Sequence, residues 1–381
     1  MIWEEPAPHA ALRQAAVACA LRPYTAGPMP PSPLPRVSQL AELRDQLRAR
    51  GARPAHEQQL LRRWLQAKPL DGGRLDLPLA LRAALPELHA ALQGLLRLRS
   101  EHPAADGSAR LLLGLADGQS IEATLLPREG LCISSQVGCA VGCRFCMSGR
   151  DGLQRQLGSA EIVAQVALAR ARRPVRKVVF MGIGEPSHNL GAVLEAIELL
   201  GTLGGIGHKE LVFSTVGDAR VFERLPLGAV KPALALSLHS TDAARRAQLL
   251  PHAPPLAPAE LVDAADRYAR ASGYPAQLQW TLLAGVNDGD DEVHALLRLL
   301  PGRRLMLNLI PFNPVDGSGY RRPDWARAVA MTQQLNRGGV LTRLRRSAAQ
   351  DVDGGCGQLR ARQAPPPRPA LQSVALPPPW L

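Results

Sequence analysis

Aromatic residues are scarce in this chain: five Phe, five Trp and four Tyr amount to 4% of 381 residues. Ala, Leu and Arg are abundant instead, a bias we read as GC-rich coding rather than as a functional signal. No run of about eighteen apolar residues occurs, which excludes a transmembrane helix and a membrane role. The opening Met-Ile-Trp-Glu-Glu lacks a basic stretch leading into an apolar one, so no secretory signal is expected and the cytoplasm is the expected compartment. Acidic residues are in deficit, 33 against 45 Lys and Arg. The resulting charge of +12 and pI near 10.2 suit a polyanionic partner such as nucleic acid, although charge alone discriminates weakly. Cysteines number only six, four of them between residues 132 and 146. In a reducing compartment such clustering points to metal binding or catalysis, not to a disulfide framework.

An apolar content of 46% over this length supports one large domain plus a smaller one. Residues 1–37 form a Pro-rich, flexible lead-in, with five prolines between Pro28 and Pro35. Residues 38–100 read as a small helical accessory domain, helical from Val37 to about Leu98. Leu40, Leu43 and Leu47 make one apolar face, and Leu60, Leu61, Trp64 and Leu65 another. Its polar side carries Arg44, Arg48, Arg53, Arg62 and Lys68, which a solvated helix face would also explain.

The period then changes. Arg110–Gly114, an Asp117-Gly118 turn and Ser120–Leu126 predict a β-hairpin. Beyond the cysteines, helix and strand alternate about six times, with Ser159 as the expected cap of a helix running to Arg172. Strands are expected at 177–181, 211–215, 233–238, 277–283 and 304–310, with helices between them. Such alternation means a parallel sheet with right-handed crossovers, and six units make a partial barrel. The large α/β domain spans 108–360, and 361–381 is a disordered Pro-rich tail.

The cysteine loop carries the chemistry. Cys139, Cys143 and Cys146 are spaced Cys-x3-Cys-x2-Cys, and Cys132 stands upstream. Four thiolates would satisfy tetrahedral zinc or a closed iron–sulfur cluster. Three would hold a [4Fe–4S] cluster with one iron open to another ligand, an arrangement suited to catalysis. The spacing, Phe145 before the last cysteine, and the position ahead of an alternating α/β series resemble the radical S-adenosylmethionine (SAM) signature. Gly184-Glu185-Pro186 resembles the element that holds the SAM amino group.

Taken together, Thr124–Gly149, Met181–Pro186, Ser237-Leu238-His239, Asn308–Pro314 and Asp353–Leu359 are similar to the RlmN/Cfr family of radical-SAM RNA adenine methyltransferases. The likeness covers residues 108–360 in order. It implies a partial (βα)6 barrel with a small N-terminal helical domain, one [4Fe–4S] cluster per chain on Cys139, Cys143 and Cys146, and SAM. It also implies SAM contacts from Gly184, Glu185, Ser214, Ser237, Leu238, His239 and Asn313, with His239 contributing mainly backbone. By the same likeness Cys356 carries a methyl group, a SAM-derived radical activates it, and Cys132 resolves the adduct through a transient disulfide. Glu122 is then the base that removes the adenine proton, and Cys19 has no assigned part. The expected substrate is rRNA and/or tRNA, methylated at an adenine ring carbon (C2 foremost), by a monomer served by an unidentified reductant protein. Three departures, Arg345–Val352, Pro251-His252-Ala253 and Ser187-His188 after Gly-Glu-Pro, leave the cofactor chemistry intact and fit a paralogue with another RNA target. A radical-SAM enzyme on a non-RNA substrate and a non-catalytic zinc or iron–sulfur nucleic-acid-binding protein are the alternatives.

Overall fold

The computed structural model describes residues 37–72, 76–315, 317–346, 348–349, 352 and 357–363. Cys19, Cys356, the lead-in before Val37 and the tail after residue 363 lie outside the described residues.

Four helices open the described chain: α1 (Leu40–Arg48), α2 (Pro54–Leu65), α3 (Leu79–Ala83) and α4 (Leu85–Gly94). Leu40, Leu43, Leu47, Leu60, Leu61 and Leu65 are buried, as their spacing requires, in a core shared with the large domain. The helical reading to Leu98 ends too late. β1 (Leu96–Pro103) already begins at Leu96, where alternating exposure over Leu-Arg-Leu-Arg-Ser-Glu-His fits a half-buried strand. β2 (Ala109–Leu115) and β3 (Ser120–Leu126) form the expected hairpin, its turn closed by Asp117, whose carboxylate accepts the Gln119 N–H at 3.0 Å.

β4 (Gly130–Cys132) pairs antiparallel with β3, and a small ribbon of β5 (Gln136–Gly138) and β6 (Leu153–Gln156) brackets the cysteine loop. The alternating series follows: α5 (Ser159–Arg170), β7 (Lys177–Phe180), α6 (Leu190–Thr202), β8 (Leu211–Thr215), α7 (Ala219–Arg224) and β9 (Ala233–Ser237). It continues through α8 (Ala243–Leu249), α9 (Pro258–Ser272), β10 (Ala276–Leu282), α10 (Asp290–Leu299), β11 (Leu305–Pro311), α11 (Trp325–Arg337) and β12 (Thr342–Leu344), ending at α12 (Gln358–Gln363). Among the described residues one ten-stranded sheet runs β1-β2-β3-β4-β7-β8-β9-β10-β11-β12. Every pairing from β4 to β12 is parallel, giving six helical crossovers, an arrangement compatible with the anticipated partial barrel.

Strand alternation sorts the side chains. Leu111, Leu113, Ile121, Ala123, Leu125 and Leu131 face the helices and join the main core. Arg110, Glu122, Thr124 and Cys132 share the other face, since Thr124 stands opposite both Arg110 and Cys132. There Cys132 packs with Val179, Val212, Ala233 and Ala235, the inward residues of three neighbouring strands.

Ser159 does not cap α5. Glu161 takes the N-terminal amide instead, accepting the Gly158 N–H at 2.9 Å. The Ser159 hydroxyl accepts the Leu40 N–H at 2.9 Å, and Gln39 Oε1 accepts the Ser159 N–H at 3.0 Å. The serine thus fastens α1 to α5, a use that lies 119 residues away in sequence and leaves no local signature.

Candidate active site

Cys139, Cys143 and Cys146 lie on one loop between β5 and β6, closed by Cys139 N–H to Gly152 O at 3.1 Å and Cys146 N–H to Cys143 O at 3.1 Å. Val141, Met147, Val216, Leu249, Leu283 and Phe312 roof the loop with apolar side chains that exclude water. Burial pushes the Cys139 thiol up to about 12, helped by the charge of Cys146, and raises Cys143 well above its ordinary range. Thiols raised in this way become thiolates only against a strong positive charge. The described residues contain no three His, Cys, Asp or Glu side chains that converge on one ion. Around a single zinc, thiolate sulfurs would stand about 3.8 Å apart. The donor set therefore fits an iron–sulfur cluster, where each thiolate takes its own iron, better than a zinc knuckle that also recruits Cys132.

The remaining candidate residues gather at the carboxyl ends of the parallel strands. Gly184, at φ +112°, lies so near Gln136 that a Cβ would meet its side chain at 2.6 Å. Gln136 Oε1 accepts the Glu185 N–H at 2.7 Å. The buried Glu185 carboxylate accepts the N–H groups of Ser187 and Val216, each at 3.1 Å, and so ties the end of β7 to the end of β8; burial raises its pKa. Ser214 sits opposite Ala235, and Ser237 opposite Gln279, both half-buried. Leu238 turns its side chain into the outer core, leaving its backbone N–H to donate to Gln279 O at 3.1 Å. Asn313 follows β11, and its Oδ1 accepts from Arg322 Nη2 at 2.6 Å.

His239 does more than lend its backbone. Its φ of +62° is costly for a non-glycine residue, about 1–3 kcal/mol. Its Nδ1 accepts the Thr281 N–H at 2.9 Å, which leaves the proton on Nε2. Burial, with Arg246 nearby, lowers its pKa to about 3, so the ring is neutral. Its ring also meets Phe145 of the cysteine loop edge-on, with centroids 4.9 Å apart. The residue that holds this turn is Asn287, fully buried, whose Nδ2 donates to His239 O at 2.7 Å and Thr281 O at 2.8 Å while its Oδ1 accepts the Leu283 N–H at 2.8 Å. Asn287→Ala leaves three buried backbone groups unpaired and should cost about 2–4 kcal/mol of stability, read as a lower chemical-denaturation midpoint. An unchanged midpoint would show that the turn is held by something else.

A second group forms on the sheet face that carries Cys132. Glu122, 4% exposed, accepts the Gly357 N–H at 3.1 Å and the Arg360 N–H at 2.6 Å, and pairs with Arg110 at 3.1 Å. Burial raises its pKa against the pull of these donors. Ser134 donates to Glu122 O at 2.5 Å and accepts the Ile183 N–H at 2.9 Å, linking this group to the Gly184-Glu185 turn. Gly357, at φ +85°, presses on the cysteine loop, where a Cβ would lie 2.7 Å from Ser148 N. Glu122 and the residue after Cys356 are thus bonded to each other and packed against the loop. Asn287, Ser134, Gln136 and Arg110 were not singled out from the sequence, where a lone buried amide or hydroxyl has no motif.

Known proteins bear on this geometry. The Radical SAM superfamily profile matches residues 133–300. A probable RNA methyltransferase of Methylibium petroleiphilum is 70% identical over 326 residues, 85% of this chain and 93% of that protein. One from Aromatoleum aromaticum is 65% identical, covering 84% and 91%. Among solved structures, a radical SAM methyltransferase from Sphaerobacter thermophilus superposes with TM-score 0.73 at 33% identity, covering 84% of this chain and 97% of that one.

Proposed function

Because the chain belongs to the radical SAM methyltransferase family, and so uses a [4Fe–4S] cluster and SAM, we propose that it methylates an adenine ring carbon, C2 foremost, in rRNA and/or tRNA. RNA is favoured over other substrates by the names of the similar proteins and by the charge of +12. Arg53, Arg62 and Lys68, exposed on and beside α2, give the N-terminal helical segment a basic surface for phosphate contacts. No helix among the described residues is long and apolar enough to cross a membrane.

The observation that carries the RlmN/Cfr-type reading is the Glu122 carboxylate holding the N–H of Gly357 on the strand face that also bears Cys132. Bound SAM supplies the methyl group and, after reductive cleavage, the radical that activates it. Cys356 carries that methyl, and the residue that follows it, Gly357, is bonded to the base. Glu122, buried and with a raised pKa, is suited to take the adenine ring proton from the covalent adduct. Cys132 then attacks the Cys356 sulfur, frees the methylated RNA and leaves a disulfide, which thiol exchange reopens. Cys139, Cys143 and Cys146 hold the cluster, while Gly184-Glu185, Ser214, Ser237–His239 and Asn313 bind SAM at the strand ends. The working unit is a monomer that receives its electrons from a separate reductant protein.

Mass spectrometry of adenosines in rRNA and tRNA from a deletion strain tests the function. One 2-methyladenosine position should disappear and return on complementation; intact RNA modification in the deletion strain would refute the RNA substrate.

A further inference from the structure

Two adjacent arginines on α8 have opposite surroundings. Arg245 pairs with Asp291 at 2.8 Å and with Glu292 at 2.6 Å. Arg246 is 4% exposed and has no carboxylate within 4.0 Å among the described residues. Its Nη2 donates to the carbonyl oxygens of Val216 and Ser237, at strand ends in the SAM region, and its buried Nε has no partner. The oxygens of nearby Glu185 are already taken by the Ser187 and Val216 amides. A guanidinium stays charged, and a buried charge facing only carbonyls is strongly unfavourable unless an anion outside the protein's own carboxylates balances it.

The helix that carries Arg246 packs against the cysteine loop. Arg144, next to Cys143, donates its N–H to Leu249 O at the end of α8 at 3.1 Å. Leu249 packs in the same apolar group as Cys139 and Cys143. Burial lowers the Arg246 pKa, and of the acidic groups that oppose this Cys143 comes ahead of Glu185.

We propose that Arg246 is the buried counter-cation of the [4Fe–4S] cluster held by Cys139, Cys143 and Cys146, and that its charge makes the cluster easier to reduce. Three thiolates outweigh the charge of the oxidised iron–sulfide core, so the assembly is anionic at rest. One electron from an external donor adds one negative charge and no proton. A fixed cation in a low-dielectric site favours the more negative state and raises the reduction potential.

The test uses the full chain, reconstituted anaerobically, without RNA or SAM, so its failure says nothing about the substrate. Midpoint potentials of wild type, Arg246→Gln and Arg246→Lys are measured by redox titration followed by electron paramagnetic resonance. Gln removes the charge, its amide ending near the Nε position and short of the Val216 and Ser237 carbonyls that Nη2 reaches; its potential should shift to more negative values. Lys keeps the charge, and its potential should stay near that of wild type. Equal potentials in wild type and Arg246→Gln, or a Lys variant that falls with Gln, would overturn the proposal. An unchanged potential joined to weaker SAM binding, measured in a separate titration of the reconstituted Arg246→Gln protein, would assign the cation to the SAM carboxylate and likewise overturn the proposal.

Discussion

Gly357→Ala is expected to lower RNA methylation about 100-fold while leaving the iron content and reductive cleavage of SAM near wild type. The reason is steric. At φ +85° an alanine is already strained, and its Cβ would lie 2.7 Å from Ser148 N and 2.9 Å from Ser148 Cα. Both contacts are backbone atoms of the turn that follows Cys146, so no flexible side chain can yield. Gly357, one residue after the proposed methyl carrier, must move away, which breaks its N–H bond to Glu122. Because Gly357 stands beside the cysteine loop and holds no cofactor ligand, cluster assembly should survive. A variant with normal methylation would show that Cys356 does not depend on this packing. One that loses its iron would show that the segment supports the cluster itself.

Glu122→Gln should slow methylated-RNA formation by about 100- to 10,000-fold, the usual contribution of a positioned general base. The substitution is nearly isosteric, but only one oxygen remains to accept from Arg360, Gly357 and Arg110, so the amide must also be checked for folding. The pH profile separates the two effects. A base works in its unprotonated form, and burial raises the Glu122 pKa. Wild-type methylation should therefore fall as the pH drops through that raised value and level off above it. Glu122→Gln should lack this acidic limb. If the variant keeps the limb, another group is the base, and Glu122 only positions Gly357 and Arg360.

The cysteine loop, the hairpin and the six crossovers were legible because each follows from a short periodic pattern: ligand spacing, strand alternation, or an apolar run between turns. The misreadings have a common physical cause. Leu96–Pro103 follows α4 just past its terminal Gly94, a stop that the apolar run of Leu95 and Leu96 obscures, and it becomes a strand by pairing with the edge of β2. Ser159 looks like a cap and serves as an acceptor for Leu40, since Glu161 already satisfies the Gly158 amide. The residues that shape the site, Asn287, Ser134, Gln136 and Arg246, act through partners far away in sequence. Arg246 beside Arg245 reads as an exposed basic pair, and only the fold separates the buried cation from the surface one. The roles of Cys132 and Cys356, in contrast, came from the resemblance and from no local pattern, and they are the part of the reading most in need of chemistry.

That chemistry has a direct test: Cys132→Ala and Cys356→Ala incubated anaerobically with SAM, a reductant and RNA, then resolved by denaturing electrophoresis. Cys132 is the proposed resolving thiol, so its alanine variant should accumulate a covalent protein–RNA adduct linked through Cys356, and Cys356→Ala should form none. No adduct in Cys132→Ala, with cluster and SAM cleavage intact, would contradict the methyl-cysteine mechanism.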